Sequence, residues 1–190
     1  THHPMIEYSI VQTEEELKGI HTLLESNLAI NVPDEIEDKE GFLTVAYSLA
    51  DLKRMHATDP AIIAKDKDQV IAYVLALNPV IKSDFPILIP FMELFDNIIY
   101  EGRPVSTYNY LIIGQACIHK DYRGKGVFKK IYAAYNARFR DKFDFAISEI
   151  ATRNLRSMNA HKKIGFTTVH EYTDPNGVEW SVVILDWKKL

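Results

Sequence analysis

Cysteine is nearly absent from this chain, since Cys117 is the only one among 190 residues. An internal disulfide is therefore impossible, which agrees with a protein of a reducing compartment. No apolar run approaches the roughly 20 residues of a membrane-spanning helix, and the first residues do not show the pattern of a signal peptide. We therefore expect a cytoplasmic protein without a membrane partner.

A surplus of positive charge is also missing, because 22 lysines and arginines stand against 26 aspartates and glutamates and the formal net charge is -4. Binding to nucleic acid needs a basic face rather than one basic loop, so we expect no nucleic-acid partner. The seven histidines are scattered, and none belongs to a pattern with metal-ligand spacing. We therefore predict that the chain binds no metal.

What the chain does contain is enough apolar material for one domain with a sizeable core, because 47% of its residues are hydrophobic. Alternating apolar residues indicate strands, and spacings of three and four indicate helices. Thr13 and Glu16 have the spacing of a capping box, which marks a helix start. In the first half these patterns predict a strand at 6–11, a helix from 13 to about 27, a loop at 31–41, a helix at 42–55 and a hairpin at 61–77.

The second half begins with an unusual stretch, 78–109, which carries four prolines and many aromatic residues and in which a short helix is predicted around 92–100. Strands and helices alternate after it. They are predicted as a strand at 110–119, a helix at 127–142, a strand at 143–151, a helix at 154–164 and a hairpin at 167–187 that turns at 174–177. This order indicates an α/β domain with a mixed sheet.

The stretch HKDYRGKGVFKK concentrates positive charge between a predicted strand and a predicted helix. Unpaired backbone N–H groups at a helix start, together with the positive end of the helix dipole, form an anion site. Gly124 and Gly126 allow the backbone to approach a ligand closely, and Arg123, Lys125 and Lys129 add charge. The stretch therefore indicates a phosphate or pyrophosphate site, the alternative being an ordinary solvated turn.

The same residues resemble a family motif. Residues 123–128 are similar to the R/Q-x-x-G-x-G/A loop of the GCN5-related N-acetyltransferases (GNAT), although Phe128 stands where the last residue is usually small. Residues 154–166 are similar to that family's second landmark, and the residues in register with it are Asn154, Ser157, Gly165 and Phe166. One predicted helix and one predicted strand separate the two landmarks, as in the family.

The resemblance implies the GNAT fold, an α/β (α+β) class with a single mixed, mostly antiparallel sheet and helices on both faces. The sheet would be splayed between two central parallel strands, here 110–119 and 143–150, and one domain would cover 1–190 with an insertion at about 78–109. Coenzyme A would lie in the split, with its pyrophosphate on the glycine loop. The implied coenzyme-binding residues are Cys117, Ile118, His119, Arg123, Gly124, Lys125, Gly126, Val127, Phe128, Lys129, Asn154 and Ser157.

Two residues are candidates for proton transfer. His161 stands where many family members have a tyrosine near the coenzyme sulfur, so the resemblance implies a proton donor to the departing thiolate, the alternative being a residue that only packs there. Glu149, on the apolar face of the second central strand, is the candidate general base, unless it is paired with Arg153 or Arg156. Cys117 is expected to be a small buried residue rather than a nucleophile.

The resemblance therefore implies an N-acetyltransferase that moves an acetyl (acyl) group from acetyl-CoA to the amine of a small molecule or peptide by direct attack. The alternative is a non-catalytic acyl-CoA-binding domain, because the strand before the glycine loop offers no carboxylate. The insertion at 78–109 could line an acceptor pocket, pack on the core or form a homodimer interface, and the sequence leaves these three open.

Overall fold

The structure, a computed structural model, describes residues 5–30 and 45–190. The strands in these residues are β1 (Ile6–Ile10), β2 (Ile62–Asp66), β3 (Gln69–Val74), β4 (Ile99–Tyr100), β5 (Arg103–Pro104), β6 (Tyr110–Ile112), β7 (Ala116–Ile118), β8 (Phe145–Ala151), β9 (Phe166–Thr173) and β10 (Glu179–Asp186). The α-helices are α1 (Glu14–Ile30), α2 (Leu49–Thr58), α3 (Ile89–Asn97), α4 (Val127–Phe139) and α5 (Leu155–Lys163).

The large sheet is divided into two halves of four strands. One half has the order β1-β2-β3-β7 and is antiparallel, and the other has the order β6-β8-β10-β9 with β6 and β8 parallel. A single bridge between Leu77 and Ile112 joins the halves. The predicted mixed, mostly antiparallel sheet that splays at its centre is therefore confirmed, with a two-stranded ribbon of β4 and β5 beside it.

The strand predicted at 110–119 is interrupted, which corrects the prediction of one continuous strand. β6 ends at Ile112, β7 begins at Ala116, and 113–115 lie outside both strands. β6 pairs with β8, whereas β7 pairs with β3. The chain therefore passes from one half of the sheet to the other within three residues.

Buried hydrogen bonds hold this break in place. Tyr73 donates to Gln115 Oε1 over 2.6 Å, and Gln115 Nε2 donates to the Val45 carbonyl over 3.1 Å. The Tyr47 hydroxyl donates to the Gly114 carbonyl over 3.3 Å. Because buried polar groups need partners, these side chains replace the sheet hydrogen bonds that the central strand gives up at this point.

The first helix begins as predicted. Glu16 N donates to Thr13 Oγ1 over 3.1 Å and Thr13 N donates to Glu16 Oε1 over 3.0 Å, which is a capping box. The helix ends at Ile30, three residues beyond the prediction. The loop predicted at 31–41 lies outside the described residues.

The second helix begins later than predicted, at Leu49 rather than at 42. Ser48 is its N-cap: Asp51 N donates to Ser48 Oγ over 3.0 Å, and Ser48 N donates to Asp51 Oδ2 over 2.9 Å. This local capping box starts the helix here, so 45–48 lie outside the helix, and Val45 and Tyr47 bond to the break in the central strand. Residues 42–44 lie outside the described part of the chain.

The stretch at 78–109 packs against the core. Short 3-10 turns (Pro79–Asp84, Pro86–Leu88 and Val105–Thr107) flank α3 and the β4–β5 ribbon. Phe85, Phe95 and Tyr100 are buried, and the rings of Tyr100 and Tyr108 lie 5.4 and 5.1 Å from that of Phe145 at the start of β8. These aromatic residues therefore follow the core-packing alternative rather than the pocket-lining one.

Two apolar clusters lie on opposite faces of the sheet, because successive residues of one strand contribute to different clusters. On β8, Phe145 and Ile147 join the cluster that packs against α1, α2 and α3, whereas Ala146 and Ile150 join the cluster that packs against α4. Helices on both faces are therefore confirmed. None of the helices within 5–30 and 45–190 is both long and apolar enough to span a membrane.

Candidate active site

The two central parallel strands separate after three residue pairs. β8 pairs with β6 from Phe145 to Ile147, but β7, the continuation of β6, pairs with β3 on its other side. Among the described residues, no strand bridges the gap between β7 and 148–151 of β8. The split predicted between 110–119 and 143–150 is therefore present, and two strand edges form its walls.

The register of β7 decides which main-chain groups face this gap. His119 N donates to the main chain of β3 over 2.7 Å, and Cys117 lies in the same ladder two residues earlier. Since hydrogen-bonding directions alternate along an antiparallel strand, Ala116 and Ile118 direct their N–H and C=O groups at the gap. Of the three predicted pantetheine contacts, only Ile118 thus presents its main chain to the gap, and Ala116 joins it.

The glycine loop leads from β7 through a 3-10 turn, Lys120–Tyr122, into α4. Gly124 and Gly126 have φ values of 74° and 80°, in the left-handed region that favours glycine. Gly126 is the N-cap of α4 and has no side chain to satisfy the N–H groups of the first turn. A Cβ at either glycine would meet no atom within 4 Å, so the space above the loop is open.

Two side-chain hydrogen bonds connect the glycine loop to neighbouring strands. The Tyr122 hydroxyl donates to Asp66 Oδ2 of β2 over 2.5 Å, and Arg123 Nε donates to the Ile118 carbonyl over 3.3 Å. The exposed cations of the loop and the first turn of α4 include Arg123, Lys125 and Lys129. Free N–H groups, a helix N-terminus and three cations at one point can hold a pyrophosphate.

The second landmark forms α5 as predicted. Asn154 is its N-cap, because Ser157 N donates to Asn154 Oδ1 over 3.1 Å. Gly165 follows the C-cap residue Ile164, with a φ of 110°. The Asn154 side chain therefore uses its oxygen for the cap and keeps its NH₂ group as a donor.

His161 is enclosed by aromatic rings. The ring centres of Phe128, Tyr132 and Phe166 lie 5.0, 6.1 and 5.0 Å from that of the imidazole. Phe128, which departs from the loop pattern, thus packs its ring onto α5 and leaves the main chain of the loop uncovered.

The protonation of His161 follows from its contacts. Nδ1 lies 2.7 Å from the Ser157 carbonyl oxygen, which can only accept, so Nδ1 carries the proton. Burial lowers the pKa of His161 below its usual range, and the bond to Ser157 opposes this shift. His161 is therefore neutral at pH 7 with Nε2 as an acceptor. Proton donation by His161 stays a prediction, and this state weighs against it.

Glu149 is a buried carboxylate, only 3% exposed, on the same face of β8 as Phe145 and Ile147. Its Oε2 accepts a hydrogen bond from the Tyr172 hydroxyl over 2.5 Å, whereas Oε1 is buried and has no hydrogen-bond partner among the described residues. Burial raises the pKa of Glu149 to about 7; the bond from Tyr172 opposes this shift and the charge of Asp174 adds to it. A carboxyl group that titrates near neutral pH can accept and return a proton.

Tyr172 is a neighbour of Glu149 that the sequence does not indicate, because the two residues lie on strands that are not adjacent. Glu149 lies opposite Val182 of β10, and Val182 lies opposite His170 of β9. The order β8-β10-β9 therefore places Glu149, Val182 and His170 in one row on the same face of the sheet. Tyr172 lies two residues after His170 on β9, and its longer side chain reaches Glu149. The hydrogen bond to Oε2 comes from this tyrosine rather than from Arg153 or Arg156.

Cys117 forms no disulfide and is 8% exposed. The prediction of a small buried residue is therefore confirmed. Across the described ranges, no three histidine, cysteine, aspartate or glutamate side chains are grouped so that they could hold a metal ion.

Comparison with known proteins decides the family. Residues 31–166, more than half of the chain, match the model of the Acetyltransferase (GNAT) family. The chain belongs to the GNAT family. No curated protein sequence matches this GNAT chain closely enough to add a relative.

Solved structures with the GNAT fold resemble the chain over nearly its whole length. A chain of the NatC complex, from a crystal structure with Gag peptide and CoA, has a TM-score of 0.63, 17% identity, and coverage of 95% of this chain and 98% of that one. The Salmonella typhimurium protein yncA, with its cofactor acetyl-CoA, has a TM-score of 0.64, 11% identity, and coverage of 96% and 94%. The aminoglycoside N(6')acetyltransferase of Legionella pneumophila has a TM-score of 0.57, 16% identity, and coverage of 99% and 95%. At these identities the likeness shows the fold alone.

Proposed function

We propose that this protein is an N-acetyltransferase that moves an acetyl group from acetyl-CoA to an amine by direct attack. Its membership of the GNAT family supports this proposal, as do the CoA and acetyl-CoA named in the NatC and yncA structures. The observation that carries the catalytic part is Glu149, a buried carboxyl group with a pKa of about 7, one of whose oxygens has no hydrogen-bond partner in the described part of the chain.

The residues of the gap and of the glycine loop fit coenzyme A. The N–H groups of Val127, Phe128 and Lys129, in the first turn of α4, would hold the pyrophosphate together with Arg123. The main chain of Ile118 and Ala116 would pair with the amides of the pantetheine arm, as an added strand does. The further contacts, which stay predictions, are Cys117, His119, Gly124, Lys125, Gly126, Asn154 and Ser157.

The acetyl thioester of the coenzyme supplies the group that is transferred. Glu149 as a carboxylate takes a proton from the ammonium form of the acceptor, so that the free amine can attack. A main-chain N–H of 116–119 that faces the gap polarises the thioester carbonyl while the N–C bond forms and the C–S bond breaks. Of the two protons that the ammonium loses, one ends on the thiol and one in solvent, and Glu149 returns the first because His161 is neutral.

A panel of amines tests this proposal. Thiol release from acetyl-CoA is measured with peptides that have free N-termini, lysine-containing peptides and aminoglycosides, and acetyl-CoA affinity is measured beside it by calorimetry. We expect thiol release that depends on at least one acceptor. Tight binding of acetyl-CoA without acceptor-dependent release across the panel would instead establish the alternative, a non-catalytic acyl-CoA-binding domain.

The nature of the acceptor, a homodimer and a cytoplasmic location remain part of the proposal. The comparisons name both a peptide and an aminoglycoside enzyme among proteins of this fold, which is why the panel contains both classes. That residues 1–190 form one domain with an insertion at 78–109 likewise stays a prediction.

A further inference from the structure

The two oxygens of the Glu149 carboxylate have different surroundings. Oε2 is bound by the hydroxyl of Tyr172, whereas Oε1 is buried without a partner among the described residues. The hydroxyl comes from β9, at the edge of the sheet away from the gap. The bond therefore reaches Oε2 from the side of the sheet edge, and Oε1 keeps its capacity to accept a hydrogen bond.

We propose that Tyr172 is a positioning residue, whose hydroxyl orients the Glu149 carboxylate and keeps Oε1 available to the acceptor amine. This inference rests on the proposed function, because it gives Glu149 the task of moving the amine proton. Nothing else in the described residues donates to either oxygen. Tyr172 touches the carboxylate rather than the reacting atoms, so it acts through Glu149.

The ionisable groups that act on Glu149 are Tyr172 on β9 and Asp174 in the turn that follows. Burial and the bond to Glu149 raise the pKa of Tyr172, so its hydroxyl stays protonated and remains a donor throughout the neutral range. The Trp180 Nε1 donates to Asp174 Oδ2 over 3.0 Å, and this bond lowers the pKa of Asp174, which stays charged. Among the described residues, Glu149 is thus the member of this set that titrates near pH 7.

Removal of the Tyr172 hydroxyl alone should shift the pKa of Glu149 in a definite direction. A hydrogen bond that is donated to a carboxylate favours the charged form, so Tyr172→Phe raises the pKa of Glu149. We expect a rise of about one pH unit, because the charged carboxylate loses a hydrogen bond and water replaces part of it. A purely structural tyrosine would leave this titration where it is.

The first measurement does not depend on turnover. Carbon-13 NMR of protein labelled at the glutamate carboxyl carbons follows each titration, and the Glu149→Gln variant identifies the Glu149 resonance by its loss. We expect the Glu149 midpoint to move upward in Tyr172→Phe and to stay unchanged in Tyr108→Phe. Tyr108 is a matched control, because it is also half-buried and its hydroxyl donates to the Tyr100 carbonyl, with no carboxylate involved.

The second measurement is the pH dependence of kcat/KM with acetyl-CoA and the best amine of the panel. We expect Tyr172→Phe to be about tenfold slower than the wild type at pH 6 and nearly equal to it above pH 9, since each pH unit below a base's pKa lowers its charged fraction about tenfold. An unchanged NMR midpoint, or an equal loss of rate at every pH, overturns the positioning role. A wild type without transferase activity overturns the proposed function, whereas the NMR titration still decides whether Tyr172 controls Glu149.

Discussion

At the scale of single residues, Glu149 has the environment that a proton-transfer group needs. Two apolar neighbours on its own strand face exclude water, which holds the carboxyl near half-ionisation at pH 7. Within the described residues, Tyr172 donates to Oε2 of the carboxylate, whereas Oε1 is buried without a hydrogen bond. An unpartnered buried oxygen is unfavourable for the fold, so a bound amine is a reasonable explanation for it.

Glu149→Gln tests this environment by removing the charge at almost constant shape. We expect kcat to fall at least about 100-fold, which is the usual contribution of a positioned acid or base, and the affinity for acetyl-CoA to stay within about twofold because Glu149 is not among the groups that hold the coenzyme. A stopped-flow assay of thiol release gives kcat, and calorimetry gives the affinity for acetyl-CoA. Glu171→Gln, an exposed carboxylate on β9, is the control and should change neither; an equal loss there would contradict a specific role for Glu149.

The His161→Phe variant separates proton donation by His161 from its packing against the surrounding aromatic rings. Burial keeps His161 neutral at pH 7, so its removal should leave the shape of the kcat profile from pH 7 to pH 9 unchanged. The phenyl ring keeps the contacts with Phe128 and Phe166, and the fold should therefore survive. Loss of a limb above pH 7 in this variant would restore His161 as the proton donor.

At the scale of elements, local sequence signals predict where helices start, and non-local pairing decides where strands stop. The capping box at Thr13 and Glu16 lies within four residues of the helix it begins, so this helix start was predicted. The break at 113–115 depends on Tyr73 and Tyr47, which lie far away in the chain. An apolar run such as 110–113 carries no sign of such partners.

The glycine loop allows a prediction with a matched control. Gly126→Ala should weaken acetyl-CoA binding about tenfold, because the N–H groups of the loop depend on a left-handed residue and the new methyl group would lie in the open space above it. Gly102→Ala, in the β4–β5 ribbon, has a similar φ of 85° and equally open surroundings. Both variants should lose a similar few degrees of melting temperature, and calorimetry should show weaker binding only for Gly126→Ala. Equal binding in both would contradict the loop as the pyrophosphate site.

At the scale of the whole molecule, the buried carboxyl group makes the stability of the fold depend on pH. The folded protein holds the Glu149 proton up to a pKa of about 7, whereas the unfolded chain releases it near 4.5. The proton on Glu149 therefore stabilises the fold fully below the unfolded pKa, and this contribution is lost as the pH rises towards 7. The charged form that the proposed general base needs is therefore the form that destabilises the fold.

Chemical denaturation at several pH values measures how the stability of the fold depends on pH. Between pH 4.5 and pH 7.5 the free energy of unfolding of the wild type should fall relative to that of Glu149→Gln by about 3 kcal/mol, since each pH unit of difference between the two pKa values is worth about 1.4 kcal/mol. The variant has no group to titrate there, so it also corrects for every other ionisable residue. A constant difference across this range would show that Glu149 titrates near its ordinary pKa.

Much of this protein was determined by the sequence alone. The glycines of 123–128, the capping box at Thr13 and Glu16, the alternating apolar runs and the hairpins are local patterns. They predict the order of elements and carry the family resemblance, which in turn implies the splayed sheet. Only the tertiary structure decided the surroundings of the chemistry. It broke the central strand at 113–115, placed Tyr172 against Glu149 from two strands away, and enclosed His161 in aromatic rings. The physical reason is that capping and hydrophobic periodicity depend on near neighbours in the chain, whereas burial, pKa and hydrogen-bond partners depend on residues that only folding brings together.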